Sequence, residues 1–167
     1  QDRAVTKLES MLPVLAKAPR LANALMLNPP ARALSERIVG MVDAPPLAHP
    51  PLRTRLRAVG LEPRSADELL VLPQEERGRA VVLLPDAFTT FYTPGVVVAA
   101  VRLLRSLGRR VEMLPFFANG KALHVKGEVG RFRRLAERNA RMLRPLTDAG
   151  YMLAGLDPAV TLTYRDE

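Results

Sequence analysis

The chain has 167 residues, of which 48% are hydrophobic and 25% are charged, a composition typical of folded domains and not of disordered chains. It contains no cysteine, which excludes disulfides, thiol catalysis and iron–sulfur or zinc–thiolate ligation within these residues. The formal net charge is +8, but most arginines recur at helical spacing without the interleaved aromatic residues of single-strand binders, so we expect a solvated helix face and no nucleic-acid partner.

The sequence also bears on membrane insertion, on the cellular compartment and on the extent of the chain. No run of 18 or more apolar residues is present, so we expect no membrane span. The lack of cysteine favours a cytoplasmic setting, because small secreted domains usually carry disulfides. The chain begins at Gln1 without a methionine and stops after Glu167 without a terminating signal, so we expect a fragment of a longer polypeptide.

Residues 1–72 are predicted to form a helical, proline-punctuated arm. Leucines at helical spacing precede Pro19, and residues 31–42 repeat the pattern after a pair of prolines. Residues 44–51 are rich in proline and are predicted to form an extended connector. Ser65 and Glu68 match a capping box at the start of a short helix. Helices this short rarely form a core of their own, so we expect the arm to pack on other parts of the protein.

Residues 73–167 are predicted to form an α/β unit. A continuous apolar run predicts a strand at 80–84, and segments that end at Pro115 and at Asp157-Pro158 predict two further strands at 110–114 and 151–156. A helix that begins at Thr93-Pro94 and ends before Gly108 separates the first two strands, and a second, longer helix from Val129 to Gly150 separates the last two. Connections of this length force parallel pairing with right-handed crossovers. The fold class is therefore α/β, a short parallel three-layer Rossmann-like half-sheet with an N-terminal helical, proline-rich arm.

Ionisable residues gather after each predicted strand, where open parallel sheets bind their ligands. Asp86 and Asp157 follow the first and third strands, and each is either a cap of the next turn or a site residue. Between Asn119 and Gly127, two lysines and a histidine precede a helix N-terminus, an arrangement that favours an anion such as a carboxylate or a phosphate. From the residues alone, His124 is open as an acid/base, a metal ligand or a loop residue that only forms hydrogen bonds.

The same loops resemble a known family. Residues 84–92, 114–127, 155–159 and 164–167, together with 40–46 in the arm, resemble the domain that ends long bacterial FAD-linked oxidase/iron–sulfur oxidoreductases of the D-2-hydroxyglutarate dehydrogenase type. Wider relatives carry cluster-binding cysteines after the second and third strands. Here Asn119-Gly120 and Asp157-Pro158 stand at those places, so this piece cannot hold such a cluster.

The resemblance implies a parent chain with FAD and a 4Fe-4S cluster in upstream flavin and ferredoxin-like domains, and with no cofactor in this piece. The parent would oxidise a 2-hydroxy acid such as D-2-hydroxyglutarate or D-lactate, an anionic small-molecule substrate, and self-association into a homo-oligomer is left open. This piece would supply substrate-side or inter-domain contacts; the alternative is a non-catalytic interaction or assembly module. His124 is the catalytic candidate, and the anion-binding candidates are Asn119, Lys121, Lys126, Asp86, Asp157 and Arg165.

Overall fold

The centre of the fold is a three-stranded parallel sheet with the strand order β2-β1-β3. The computed structural model describes residues 11–30 and 45–161. The strands are β1 (Ala80–Leu84), β2 (Arg110–Met113) and β3 (Met152–Gly155). Every residue of β1 is buried, as expected for a central strand covered on both faces. The predicted α/β class and parallel half-sheet are confirmed.

The helices connect and cover these strands. Those that precede the sheet are α1 (Pro19–Leu27), α2 (Leu52–Ala58), α3 (Ala66–Leu70) and α4 (Gln74–Arg77). Between β1 and β2 lie α5 (Ala87–Phe91) and α6 (Pro94–Ser106), and between β2 and β3 lie α7 (Lys121–Val125) and α8 (Val129–Asp148). Within residues 11–30 and 45–161, no helix combines the length and the apolar composition that crossing a bilayer requires.

Each face of the sheet is covered by a different pair of helices. On one face, Val81 and Leu83 pack with apolar residues of α2 and α6, among them Leu56 and Val97. On the other face, Val82 packs with α3 and α8 through the side chains of Leu69, Leu143 and Leu146. Side chains of a strand alternate between faces, so the continuous apolar run of β1 serves both layers. The result is the three-layer arrangement that the sequence predicted.

Residues upstream of position 72 take part in both layers. Leu56 of α2 and Leu69 of α3 are each 0% exposed, and they lie on opposite faces of the sheet. Ser65 and Glu68 form the predicted capping box in full, with reciprocal backbone and side-chain hydrogen bonds. The boundary at residue 72 stays a prediction, and the predicted helix over residues 31–42 lies outside the described residues.

A third apolar cluster joins the N-terminal helices to the carboxyl side of β1. It contains Leu12, Leu47 and Phe91. The side-chain amide of Asn23 in α1 both donates to the carbonyl of Leu47 and accepts from its N–H group, each over 2.8 Å. These two hydrogen bonds satisfy the backbone N–H and carbonyl of Leu47 in the extended connector, which among the described residues has no neighbouring strand to do so.

Three local features differ from the sequence prediction. The sequence predicts no helix or strand over residues 116–127 or 87–91, yet the first of these segments contains α7 and the second forms α5. Thr93 stands at the N-cap position of α6, but its side chain makes no capping hydrogen bond and its hydroxyl lies 3.4 Å from the Phe88 carbonyl. Pro94 at the first helical position has no N–H group, so the first turn of α6 leaves one backbone donor fewer without an intrahelical partner.

Candidate functional site

Asp86 follows β1 closely and caps the helix that comes next. Its side chain is almost fully buried at 2% exposure. One carboxylate oxygen accepts the N–H of Thr89 over 2.8 Å, and the other accepts the hydroxyl of the same residue. These are the contacts of an N-cap, which satisfies backbone donors that the first turn of a helix leaves unpaired. Of the two roles that the sequence left open, the structure shows the capping role.

Asp157 has the matching position and a matching role after β3. Leu84 of β1 and Gly155 of β3 are paired, so each aspartate stands two residues beyond a paired position. The carboxylate of Asp157 accepts the N–H of Ala159 over 2.8 Å, and its carbonyl accepts the hydroxyl of Thr161 over 2.7 Å. Asp157 therefore also holds a turn, as aspartate before proline commonly does.

The predicted loop at Asn119 and Gly120 is a turn packed tightly on α8. Asn119 is buried, and its side-chain oxygen accepts the N–H of Lys121 over 2.8 Å. Gly120 has φ +85°, and a Cβ atom placed on it would lie 3.0 Å from Leu135 and 3.1 Å from Phe132. Both the left-handed backbone and the close approach of α8 select glycine here. The turn thus starts α7 and fixes it against α8.

His124 and Lys121 lie on the same side of the short helix α7, because residues three apart are neighbours on a helix surface. The His124 ring lies against the Phe132 ring of α8, with 5.0 Å between centroids and 38° between planes. Lys121 and His124 are half-buried, and Lys126 is exposed. The structure thus places Lys121 and His124 within α7 and Lys126 at the C-cap position of the same helix. Their roles in catalysis and anion binding stay predictions, and Arg165 lies outside the described residues.

An acidic side chain occupies the helix start that was expected to favour an anion. Glu128 stands at the N-cap position of α8 and makes no side-chain capping bond. Its carboxylate instead pairs with Arg131 over 2.5 Å. A carboxylate at this place already offsets the positive end of the helix dipole. The predicted attraction for an anion in this region would therefore depend on Lys121 and Lys126 rather than on the helix end.

The residues of this chain do not fit an iron–sulfur cluster held by thiolates. The sequence has no cysteine to supply thiolates. In the part of the chain that the structure describes, no three histidine, aspartate or glutamate side chains come together as metal ligands. Any ligand at this edge of the sheet would therefore be bound through oxygen and nitrogen groups.

The sequence analysis missed a buried charged group, Glu112 in β2. Its side chain accepts from Arg110 over 2.8 Å and from Arg64 over 3.3 Å, and Arg110 also pairs with Glu76. The hydrogen bond with Glu112 raises the pKa of the Arg110 guanidinium. The sequence did contain a signal for this group, because a glutamate stands between two apolar residues of a predicted strand. A charge buried in a strand requires charged or hydrogen-bonding partners.

Sequence comparison adds relatives of the whole chain. Three bacterial proteins named D-2-hydroxyglutarate dehydrogenase match all 167 residues: those of Escherichia coli K12 at 38% identity, Pseudomonas putida KT2440 at 40% and Haemophilus influenzae Rd at 34%. No family model and no solved structure matches the chain.

The match covers only part of each relative. The chain spans 16% of the Escherichia coli and Haemophilus influenzae proteins and 17% of the Pseudomonas putida protein. The resemblance inferred from residues 84–92, 114–127 and 155–159 is confirmed.

Proposed function

Because the chain is similar over its whole length to one segment of bacterial D-2-hydroxyglutarate dehydrogenases, we propose that it works as part of a longer oxidoreductase that acts on a 2-hydroxy acid. The observation that carries this proposal is the match of all 167 residues at 34–40% identity. Relatives six times the length of this chain leave room for the flavin and iron–sulfur domains that the resemblance implies. The cluster would be held there, because this chain supplies no thiolate, and the resemblance implies that FAD would be held there too.

In this proposal, residues 119–126, which we call the α7 turn, provide substrate-side or inter-domain contacts. Lys121 and His124 share one side of α7, and Lys126 follows at its end. Two ammonium groups there would attract the carboxylates of a 2-hydroxy acid or an acidic surface of a neighbouring domain. Because α7 is fixed to α8 through Gly120 and Phe132, these side chains project from a rigid support.

A second candidate function is a non-catalytic interaction or assembly module. The observation that favours it is the use of Asp86, Asn119 and Asp157 as hydrogen-bonded turn and helix caps. Three of the polar residues expected at a site thus stabilise local structure. In that case the unit would position other domains of an enzyme without touching its substrate.

The test is to express the complete open reading frame that encodes this segment. We expect flavin and iron–sulfur absorption in the purified product, and reduction of an artificial electron acceptor that depends on D-2-hydroxyglutarate or D-lactate. The L enantiomers are the matched controls. A product that has no flavin, or that reduces the acceptor with neither D-hydroxy acid, would contradict the proposal.

A further inference from the structure

A cleft lies at the carboxyl end of the sheet, and none of the α7 residues lines it. It is a cleft of about 620 Å³ where α2, the exits of β1 and β2 and the N-terminal helical residues meet. Its floor is apolar and includes Leu56, Met113 and Leu114, which are each at most 2% exposed. The α7 turn packs on α8, the helix of the opposite face. The cleft is lined by residues of α2 and by none of Asn119, Lys121, His124 and Lys126, so it is distinct from the α7 turn.

Aromatic side chains form one wall of this cleft. Phe91 of α5 and Phe116 beyond β2 both line it, and their rings meet edge to face at 4.8 Å between centroids. Ligand sites of small molecules are concave, about 300–1,000 Å³ in volume and mostly apolar, with a few polar groups. Both the volume and the lining of this cleft fall within that description.

The rim of the cleft is positively charged. Lys17, Arg53 and Arg57 line it and are exposed. Arg57 pairs with Glu62, whose oxygen lies 2.9 Å from its Nε atom. Among the described residues, Lys17 and Arg53 have no ion-pair partner. Two uncompensated cations therefore face an apolar recess.

One polar group of the cleft floor also makes no hydrogen bond to the described residues. Thr90 of α5 lines the cleft and is 9% exposed. Its hydroxyl is buried and has no hydrogen-bond partner within residues 11–30 and 45–161. Buried hydroxyls are normally paired, and one without a partner calls for an explanation such as an unfilled site. The floor thus differs from the fully satisfied apolar layers on either face of the sheet.

We propose that this cleft binds an organic anion with an apolar body, such as a monocarboxylate that carries a hydrocarbon chain or ring. The carboxylate would lie at Lys17 and Arg53, and the body would lie between the Phe91 wall and the α2 side chains Leu52 and Leu56. Small dicarboxylates fit poorly, because their second charge would be placed on an apolar floor without a cation. The cleft would therefore serve a ligand other than the 2-hydroxy acid of the proposed reaction.

Titration calorimetry on the purified 167-residue chain tests this inference without any dehydrogenase assay. Octanoate is the probe, with octan-1-ol as the uncharged control and glutarate as the dicarboxylate control. We expect saturable binding of octanoate that weakens as salt is added, and binding at least about fivefold weaker for each control. No saturable binding of octanoate, or equal binding of octan-1-ol, would overturn the proposal.

A pair of variants locates the binding in the cleft. Arg53→Gln removes a cation of the rim, and Arg102→Gln removes an exposed cation of α6 that does not line the cleft. Because both residues are exposed, both variants should fold, which circular dichroism verifies. We expect Arg53→Gln to weaken octanoate binding at least fivefold and Arg102→Gln to leave it unchanged. Equal effects of the two substitutions would contradict the assignment of the anion to this rim.

Discussion

The phenolic hydroxyl of Tyr151, directly before β3, donates a hydrogen bond of 2.6 Å to the carbonyl oxygen of Leu69 in α3. Both residues are buried, at 4% and 0% exposure. Leu69 precedes β1 in the chain and Tyr151 follows it, so the bond joins two distant segments. It connects α3 to the layer that contains α8. A buried tyrosine hydroxyl usually needs such a partner.

Tyr151→Phe is expected to lower the free energy of unfolding by about 1 kcal/mol, since the ring stays in place and only this hydrogen bond is lost. The Leu69 carbonyl keeps a backbone donor, the N–H of Leu72 at 3.2 Å, which limits the loss. Urea denaturation measures the change. Tyr92→Phe, at a half-buried ring, is the control and should change stability by less than about 0.5 kcal/mol. Equal losses in the two variants would contradict the role given to the Tyr151 hydroxyl.

Stability should fall in alkaline solution partly through Tyr151. Burial raises the pKa of its phenol above the ordinary value of about 10, although nearby Arg77 and Arg110 oppose that shift. Above pH 10 the unfolded chain loses this proton before the folded chain does, so the folded state binds more protons and stability decreases as pH rises. We expect wild type to lose more stability between pH 9 and pH 11 than Tyr151→Phe, which cannot titrate there. Parallel pH profiles would exclude this contribution.

Arg110→Gln should destabilise the protein more than a matched change at an exposed ion pair. It removes the 2.8 Å contact to the buried Glu112 and leaves that carboxylate with Arg64 at 3.3 Å. The expected loss is about 1–2 kcal/mol. Arg57→Gln breaks the exposed pair with Glu62 and should cost less than about 1 kcal/mol. Thermal or urea unfolding compares the two variants, and a larger loss for Arg57→Gln would refute the ranking.

Gly120→Ala should cost more stability than Gly108→Ala. Both glycines have positive φ, +85° and +72°, so both substitutions carry a backbone penalty of about 1–2 kcal/mol. At Gly108 a Cβ atom would meet nothing within 4 Å, whereas at Gly120 it would meet Leu135 at 3.0 Å. The crowding adds about 1–3 kcal/mol at Gly120 alone. If the two variants unfold at the same denaturant concentration, the tight packing of this turn on α8 is not supported.

Lys121→Ala and His124→Ala test the proposed role of the α7 turn in the longer enzyme. A lost charge-assisted contact should raise KM or lower kcat by about tenfold for either variant. Arg102→Ala, on a helix of the other face of the sheet, is the control and should leave kcat/KM unchanged. The alternative is that His124 only fixes the turn against Phe132. Unchanged kcat/KM together with a lower unfolding midpoint would then support the interaction module.

The sheet was predictable because its sequence signals are strong and local. A run of five apolar residues, Ala80 to Leu84, is typical of a strand covered on both faces, and Gly108 and Gly150 mark the ends of the helices that follow β1 and β2. Once three strands alternate with helical connections, parallel pairing follows from chain geometry. The strand order with β1 in the centre required the coordinates, since adjacent strands in the sequence do not determine which one lies in the middle.

Two of the short helices, and the choice between a cap and a site residue at Asp86, were beyond the sequence signals. α5 and α7 have five residues each, fewer than two turns, so no apolar periodicity can develop within them. Asp86 has the same local sequence whether it caps a helix or contacts a ligand, and only the position of the Thr89 N–H distinguishes the two roles. The partners of Glu112 lie 2 and 48 positions away, which local patterns do not reveal.

The burial of Leu56 and Leu69 on opposite faces of β1 also affects how the protein emerges from the ribosome. The five-residue apolar run of β1, without charge or proline, is the type of segment that pairs readily with copies of itself. Its hydrogen-bonding partners, β2 and β3, are synthesised later. The segments that carry Leu56 and Leu69 are synthesised earlier, so one apolar partner for each face has left the ribosome when β1 appears. Translation order thus supplies apolar partners for β1 before β2 and β3 can complete the sheet.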